Sequence, residues 1–464
     1  MFTKLALSEL EGNWRAIWTG SWLIRIQVAF RNSLVERLAP YLSSSWTARL
    51  TPLAVALLVA LLVFASPLVS TGMNALLILL AGSAVVLRAL FHPPTEEDTT
   101  SLDIPLLVLL AIVLIATASS PFPWAAAKGL TKWVIFLLAY GVFRDVFRRG
   151  GLTARLVIGA VLAVALLEAL LGLYQFKIHV PPLATWEDAE AELNLTRVYG
   201  TLRNPNLLGG YLVAVVPLGI AGMLAWRGPL RWLAAGVAIA GPLALYLTYS
   251  RGAYVALGAE ASMLAILGLS AGWRKQRTYW ILGLGLAALL TLSLWGWYHS
   301  PTFHNRLTSI LSLHADSSNS FRMNVWRATW QMIRDSWWIG VGIGNDAFRH
   351  SYSLYMVSGY EALGAYNVLL EWLAEAGVGG AIAFLWLVIA AMTRALECFN
   401  KAEARPWAAG TAVALLGLLV HGMVDTVFFR PAVQLPFWLL LAIVVNLPRI
   451  AAYSDRAASL HVAG

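Results

Sequence analysis

The sequence holds a single cysteine, Cys398, in 464 residues. That excludes a disulfide framework and any metal site built on thiolates. Charge is also scarce: 12% of residues are Asp, Glu, Lys or Arg, against roughly 25% in soluble domains. No HExxH, nucleotide-binding P-loop or dinucleotide fingerprint occurs, so neither a metal ion nor a cofactor is expected. The first fifty residues lack a sustained apolar core followed by a small-residue cleavage site, so no cleavable signal peptide is expected either.

What is present is apolar: 59% of residues are hydrophobic, with 21 tryptophans. Many runs approach about 20 residues, the length that crosses a roughly 30 Å hydrocarbon core. A β-barrel would instead show alternating segments of about ten residues. The expectation is an all-α polytopic membrane protein. Twelve candidate spans fall at 51–70, 73–91, 102–118, 124–143, 153–175, 206–226, 229–248, 252–271, 278–297, 366–393, 406–424 and 431–448. An acidic connection, HPPTEEDTT, weakens the first hairpin and leaves ten or eleven spans open.

The formal charge of +9 does not point to nucleic acid, because the arginines are scattered between apolar runs. With the N-terminus inside, Arg144/Arg148/Arg149, Arg227/Arg231, Arg274/Lys275/Arg277, Lys401/Arg405 and the tail with Arg449 and Arg456 all fall on the inner side, as the positive-inside rule demands. Five regions follow: an amphipathic cytoplasmic segment 1–50, spans within 51–297 with an outer loop at 176–205, an outer loop domain 298–365, spans within 366–448, and a cytoplasmic tail 449–464.

The outer side carries arginines that this rule does not explain: Arg197, Arg203, Arg251, Arg306, Arg322, Arg327, Arg334, Arg349 and Arg430, together with Lys177. Arginine captures phosphate or carboxylate bidentately, so an anionic substrate is one reading. Pairing with Glu187, Asp188, Glu190, Glu192, Asp316, Asp335, Asp346 and Glu361 is the other.

Four stretches concentrate the chemistry. RVYGTLRNPNLLGGYL places Arg197 and Arg203 beside a helix start signalled by Asn204-Pro205-Asn206, and a helix N-terminus favours anions. YSRGAY puts Arg251 at the tip of a tight hairpin, with Gly252 expected to ease the turn. In FRMNVWRATWQMIRD, Arg327 and Arg334 share a face if the segment is helical; the GVGIGN that follows offers backbone N–H groups to a phosphate, or is a plain turn. AYNVLLEWLAEAGVGG brings Glu371 and Glu375 onto one helix face. Glu168 and Glu260 lie deeper in their spans, where carboxylates are rare and usually functional. Lys128 and Lys132 are placed to neutralise one of these acids. Of the outer histidines His299, His304, His314 and His350, any one is more often structural than catalytic.

GTLRNPN, YSRGAY, the FR…W…GVGIG segment and the helix opening YN…GVGG occur in order across residues 195–430. In this the chain resembles the O-antigen ligase and polymerase superfamily, polytopic proteins with a large outer loop between late spans. Within it, the overall likeness is to a cyanobacterial branch labelled as bicarbonate transporters. The resemblance implies outer arginines that hold the diphosphate of a lipid-linked glycan, without a metal. Arg251 matches the hairpin arginine and Arg322 the one opening the outer-loop helix. The family's histidine motif fits at Asn367, Gly377 and Gly380, but the histidine position holds Tyr366. Ionising a free tyrosine at pH 7 costs on the order of 4 kcal/mol, so Tyr366 is a poor base, and His350 or His304 is a substitute.

Three functions follow. In a transporter, Arg251, Arg322 and Arg327 attract a small anion such as bicarbonate, with Glu168 or Glu260 coupling a cation. In a glycosyltransferase, the alternative to this leading transport reading, Arg251 and Arg322 bind the diphosphate of an undecaprenyl-linked glycan, with Tyr366 or His350 assisting the acceptor. The candidate substrate-binding residues for the anion are Arg197, Arg203, Arg251, Arg322, Arg327, Asn367 and Glu371. In a scaffold, the outer loop recruits a partner. All three place the protein in membrane lipid, and oligomeric state is left open.

Overall fold

The computed structural model describes residues 46–91, 100–181, 196–270 and 317–459. All regular structure among them is helical. Thirteen α-helices run in order: α1 (Trp46–Ala65), α2 (Thr71–Phe91), α3 (Asp103–Ala118), α4 (Pro123–Arg148), α5 (Gly151–Lys177), α6 (Pro205–Ala225), α7 (Pro229–Leu247), α8 (Arg251–Ser270), α9 (Ser317–Ser336), α10 (Asn345–Tyr352), α11 (Val368–Phe399), α12 (Arg405–Gly422) and α13 (Pro431–Ser459). Seven described helices are long and apolar enough to cross a membrane, namely α4 to α8, α11 and α13.

Eleven of the twelve expected spans thus coincide with a helix. The other, 278–297, lies outside the described residues, as do the 1–45 part of the amphipathic segment and the acidic run 92–99. The expected tail is helical as far as Ser459, because α13 runs on past residue 448.

Local chemistry sets the helix starts. Asn204 caps α6, its side chain accepting from the N–H groups of Asn206 and Leu207, with Pro205 at the first helical position. Asn367 caps α11 in the same way through Leu369 and Leu370. Proline sits inside α6 (Pro217) and α7 (Pro242), tolerated in apolar bundles where neighbouring helices satisfy the freed carbonyls. α6 is buried on nearly every side and packs on α7 and α12, so it is the axis of the bundle.

One end of the bundle gathers the starts of α4, α6, α8, α11 and α13 and the ends of α3, α5, α7 and α12. Thr201 is held there by the buried Glu168 of α5, which accepts from both its N–H (2.9 Å) and its hydroxyl. Gln175 fastens the same loop, accepting from Tyr199 and Gly200 N–H and donating to the Gly200 carbonyl at 3.0 Å. α9 and α10 also lie at this end, against α11. The other end carries Arg144 paired with Asp103 at 2.7 Å and Arg149 with Asp145 at 3.4 Å.

α11 breaks at Gly377, whose φ of +66° suits only glycine without strain. The loop 337–344 inserts beside the break. Val378 N–H donates to the Trp337 carbonyl (2.8 Å), while Val341 and Gly342 N–H donate to the carbonyls of Ala374 and Glu375. A Cβ on Gly377 would stand 2.3 Å from the Trp338 oxygen, and one on Gly129 of α4 would stand 1.9 Å from that of Ile343.

Candidate functional site

A polar network crosses the site end between elements far apart in sequence. Arg197 donates from Nε to the Thr248 carbonyl (3.1 Å) and from Nη2 to Asn206 Oδ1 (3.2 Å). Asn206 turns its Nδ2 to Asp425 at 2.8 Å. Arg322, in the second turn of α9, approaches the same Asp425 oxygen at 3.5 Å, with both side chains largely buried. The first turn of α6 and the second of α9 therefore meet on one carboxylate after α12, and Arg197 ties the loop before α6 and the end of α7 to Asn206.

Tyr366 stands beside this network. Its φ of +53° is left-handed, a conformation that strains a non-glycine residue and clusters at functional positions. Its ring meets Phe321 edge-on at 5.3 Å. Burial pushes the phenol up to about 12, Asp425 acts in the same direction, and Arg430 and Arg322 oppose them. At neutral pH Tyr366 is therefore a hydrogen-bond donor and not a base.

The other site residues expected from sequence divide clearly. Arg251 opens α8 next to the network, and its neighbour Gly252 lies against His421. The hairpin turn itself is made at Tyr249, with φ +51°; Gly252 supplies close approach, not the turn. Arg203 is exposed and left-handed just ahead of the Asn204 cap. Arg327 lies on the exposed side of α9 with Arg334; five residues from Arg322, it points well away from it at 3.6 residues per turn. His350 stacks on Phe122 at 5.2 Å, against the turn before α4. Both polar atoms of Asn367 are engaged by the fold, the oxygen in capping and the nitrogen on the Met423 carbonyl at 3.0 Å.

Glu371 is buried and accepts from Ala365 N–H. Glu375, one turn on, accepts from Gly344 N–H at 2.9 Å. This corrects the phosphate reading of GVGIGN. The N–H groups of Gly340, Val341, Gly342 and Gly344 are bonded to Ser336, Ala374 and Glu375, and the glycines permit backbone contact with α4 and α11.

Beside the network opens a cavity of about 160 Å³ between α4, α11 and α13. Lys132, Glu375 and Arg430 supply its charges, and Trp133, Trp372 and Trp438 are among its aromatic walls. Lys132 is the member of the expected lysine pair whose charge bears on Glu375. Arg430 links the two features, since its charge also bears on Tyr366 and Glu371.

Two residues of the site were not read from the sequence. Asp425, the acid that Arg322 meets, is absent from the expected partners, and His421 went unremarked at the end of α12. The signal was present in HGMVD: an ionisable pair four residues apart closing an apolar helix. Among the described residues no group of histidine, cysteine and carboxylates is arranged to hold a metal ion.

Fold and site together define a polytopic helical membrane protein with a buried carboxylate, Asp425, that meets Arg322 directly and Arg197 through Asn206 at one end. Residues 234–385, about a third of the chain, match the family model described as O-Antigen ligase. The matched segment is similar to that family and holds Arg251, Arg322, Tyr366 and the part of α11 that contains its break. No curated protein matches the chain.

Proposed function

We propose that the protein is a membrane-embedded glycosyltransferase of the ligase type, which takes a glycan from a polyprenyl diphosphate at the site end of the bundle. The observation that carries this reading is that the family match spans both arginines, Arg251 and Arg322, that flank the buried Asp425 network. The site end is then the outer, non-cytoplasmic face.

In this account Arg251 and Arg322 hold the diphosphate, since guanidinium groups match phosphate oxygens bidentately. The aromatic cavity takes the first isoprene units, with Arg430 and Lys132 near the charged head. The acceptor hydroxyl oxygen attacks the anomeric carbon while the bond from that carbon to the diphosphate oxygen breaks. The bonding electrons leave with the diphosphate, whose growing charge the arginines stabilise. The acceptor proton is lost to solvent as the new bond forms. Tyr366 donates a hydrogen bond that orients the acceptor.

An aromatic-walled cavity beside the arginines suits a lipid-linked donor better than bicarbonate, so anion transport is the weaker reading. The test is the lipid-linked glycan content of a deletion strain complemented with wild type, Arg251→Ala or Arg322→Ala. Accumulation relieved by wild type alone is expected. An unchanged profile in the deletion strain would remove the transferase reading.

A further inference from the structure

His421 closes α12 with no exposed surface. Among the described residues neither of its ring nitrogens has a hydrogen-bond partner. Buried polar groups are normally satisfied, and one left bare calls for an explanation. Leu, Met or Phe would fill an apolar helix interface without that penalty.

The ring is held where the site is built. Gly252, second residue of α8 and next to Arg251, brings its backbone against the ring: a Cβ there would stand 2.6 Å from Cδ2 and 3.0 Å from Nε2 of His421. Asp425 follows four residues later, and the charges of Asp425 and Arg322 both act on the imidazole. The Arg322–Asp425 contact is 3.5 Å, longer than the roughly 2.7–2.9 Å of a tight charge-assisted bond. It is a cation that an incoming anion can draw away.

We propose that His421 is a positioning residue that takes over Asp425 when a diphosphate engages Arg322. Moving Arg322 toward the ligand would leave the buried Asp425 carboxylate with the Asn206 amide but without a cation. A protonated imidazole one turn away supplies the replacement, so binding of the anion is accompanied by uptake of one proton. Atoms balance simply: the proton comes from solvent, and the imidazolium then pairs with the Asp425 carboxylate. Ionisable groups on the surrounding elements include Tyr211 of α6, Arg251, Tyr254 and Glu260 of α8, Tyr366 ahead of α11, Glu371 and Glu375 of α11, Arg430 ahead of α13, and Arg322 of α9, which meets Asp425. This inference rests on the diphosphate-site reading of the arginines.

The test is the affinity of the purified full chain for inorganic pyrophosphate, measured against pH for wild type, His421→Leu and His421→Gln. The ratio of wild-type to variant affinity cancels the titration of pyrophosphate itself. The expected ratio is about tenfold or more near pH 6, falling toward unity near pH 9 as the imidazole loses its proton. His421→Leu should also melt at or above the wild-type temperature, because it removes an unpartnered polar group. A merely structural histidine would give a pH-independent ratio near one, or a loss of melting temperature with unchanged binding; either overturns the proposal. If the Leu variant does not fold, the Gln variant decides by the same ratio, since its neutral amide cannot follow the pH dependence. Failure of the wild type to bind pyrophosphate at all would instead overturn the diphosphate-site reading.

Discussion

The Arg322–Asp425 contact offers a sharp energetic test. Removing one partner of a buried ion pair costs about 3–5 kcal/mol, because the other charge stays buried and uncompensated. Here the side chains are 15% and 8% exposed and 3.5 Å apart, which places Arg322→Ala near the lower end, about 3 kcal/mol. Asp425→Ala also removes the acceptor of the 2.8 Å bond from Asn206, a charged hydrogen bond contributing about 1.5–3 kcal/mol. It should therefore be the more damaging single change. The double variant strands no charge, so its loss should fall short of the summed single losses by about 2 kcal/mol or more. Equilibrium unfolding in mild detergent, run on all four proteins, measures this coupling. Losses that add within about 0.5 kcal/mol would refute the pairing.

Other expectations follow from single positions. Arg251→Ala should abolish activity with normal membrane expression, and a well-folded, fully active variant would remove Arg251 from the site. Arg327→Ala, on the exposed side of α9, should keep activity within about twofold, as surface changes usually do; a hundredfold loss in transfer assays would place it in the site after all. Tyr366 holds its proton more tightly folded (about 12) than its ordinary value near 10. Its contribution to stability is therefore present below pH 10 and lost as pH rises toward 12. Tyr366→Phe should flatten that alkaline decline, and an identical decline in both proteins would contradict the burial of the phenol. Gly129→Ala drives a methyl into the Ile343 carbonyl and should lower the melting temperature sharply, since such overpacking costs about 1–3 kcal/mol or more.

The bundle was legible because length and hydropathy dominate in lipid. The cap of α6 was legible too, since Asn204 starts it as the Asn-Pro-Asn context announces; that Asn367, read as a substrate-binding residue, caps α11 was not. The site was only partly legible. Arg251, Arg322 and Tyr366 carry recognisable local motifs, yet Asp425, which Arg322 meets and whose charge bears on Tyr366, lies more than fifty residues from any of them and has no motif of its own. GVGIGN shows the opposite problem: a glycine-rich loop reads alike whether its N–H groups face a phosphate or, as here, the carbonyls and carboxylate of a broken helix. Gly252 misled in the same manner, since a glycine beside a turn and a glycine under an imidazole look identical in sequence.

A transferase of this kind must release polyprenyl diphosphate. The direct measurement is turnover by the purified protein, in detergent or vesicles, supplied with a polyprenyl-diphosphate-linked glycan and a hydroxyl acceptor. Glycan transfer with stoichiometric polyprenyl diphosphate release, lost in Arg322→Ala, is the expected result. Release that persists undiminished in a folded Arg322→Ala protein would contradict the site, and no release by wild type with a panel of glycans and acceptors would contradict the function.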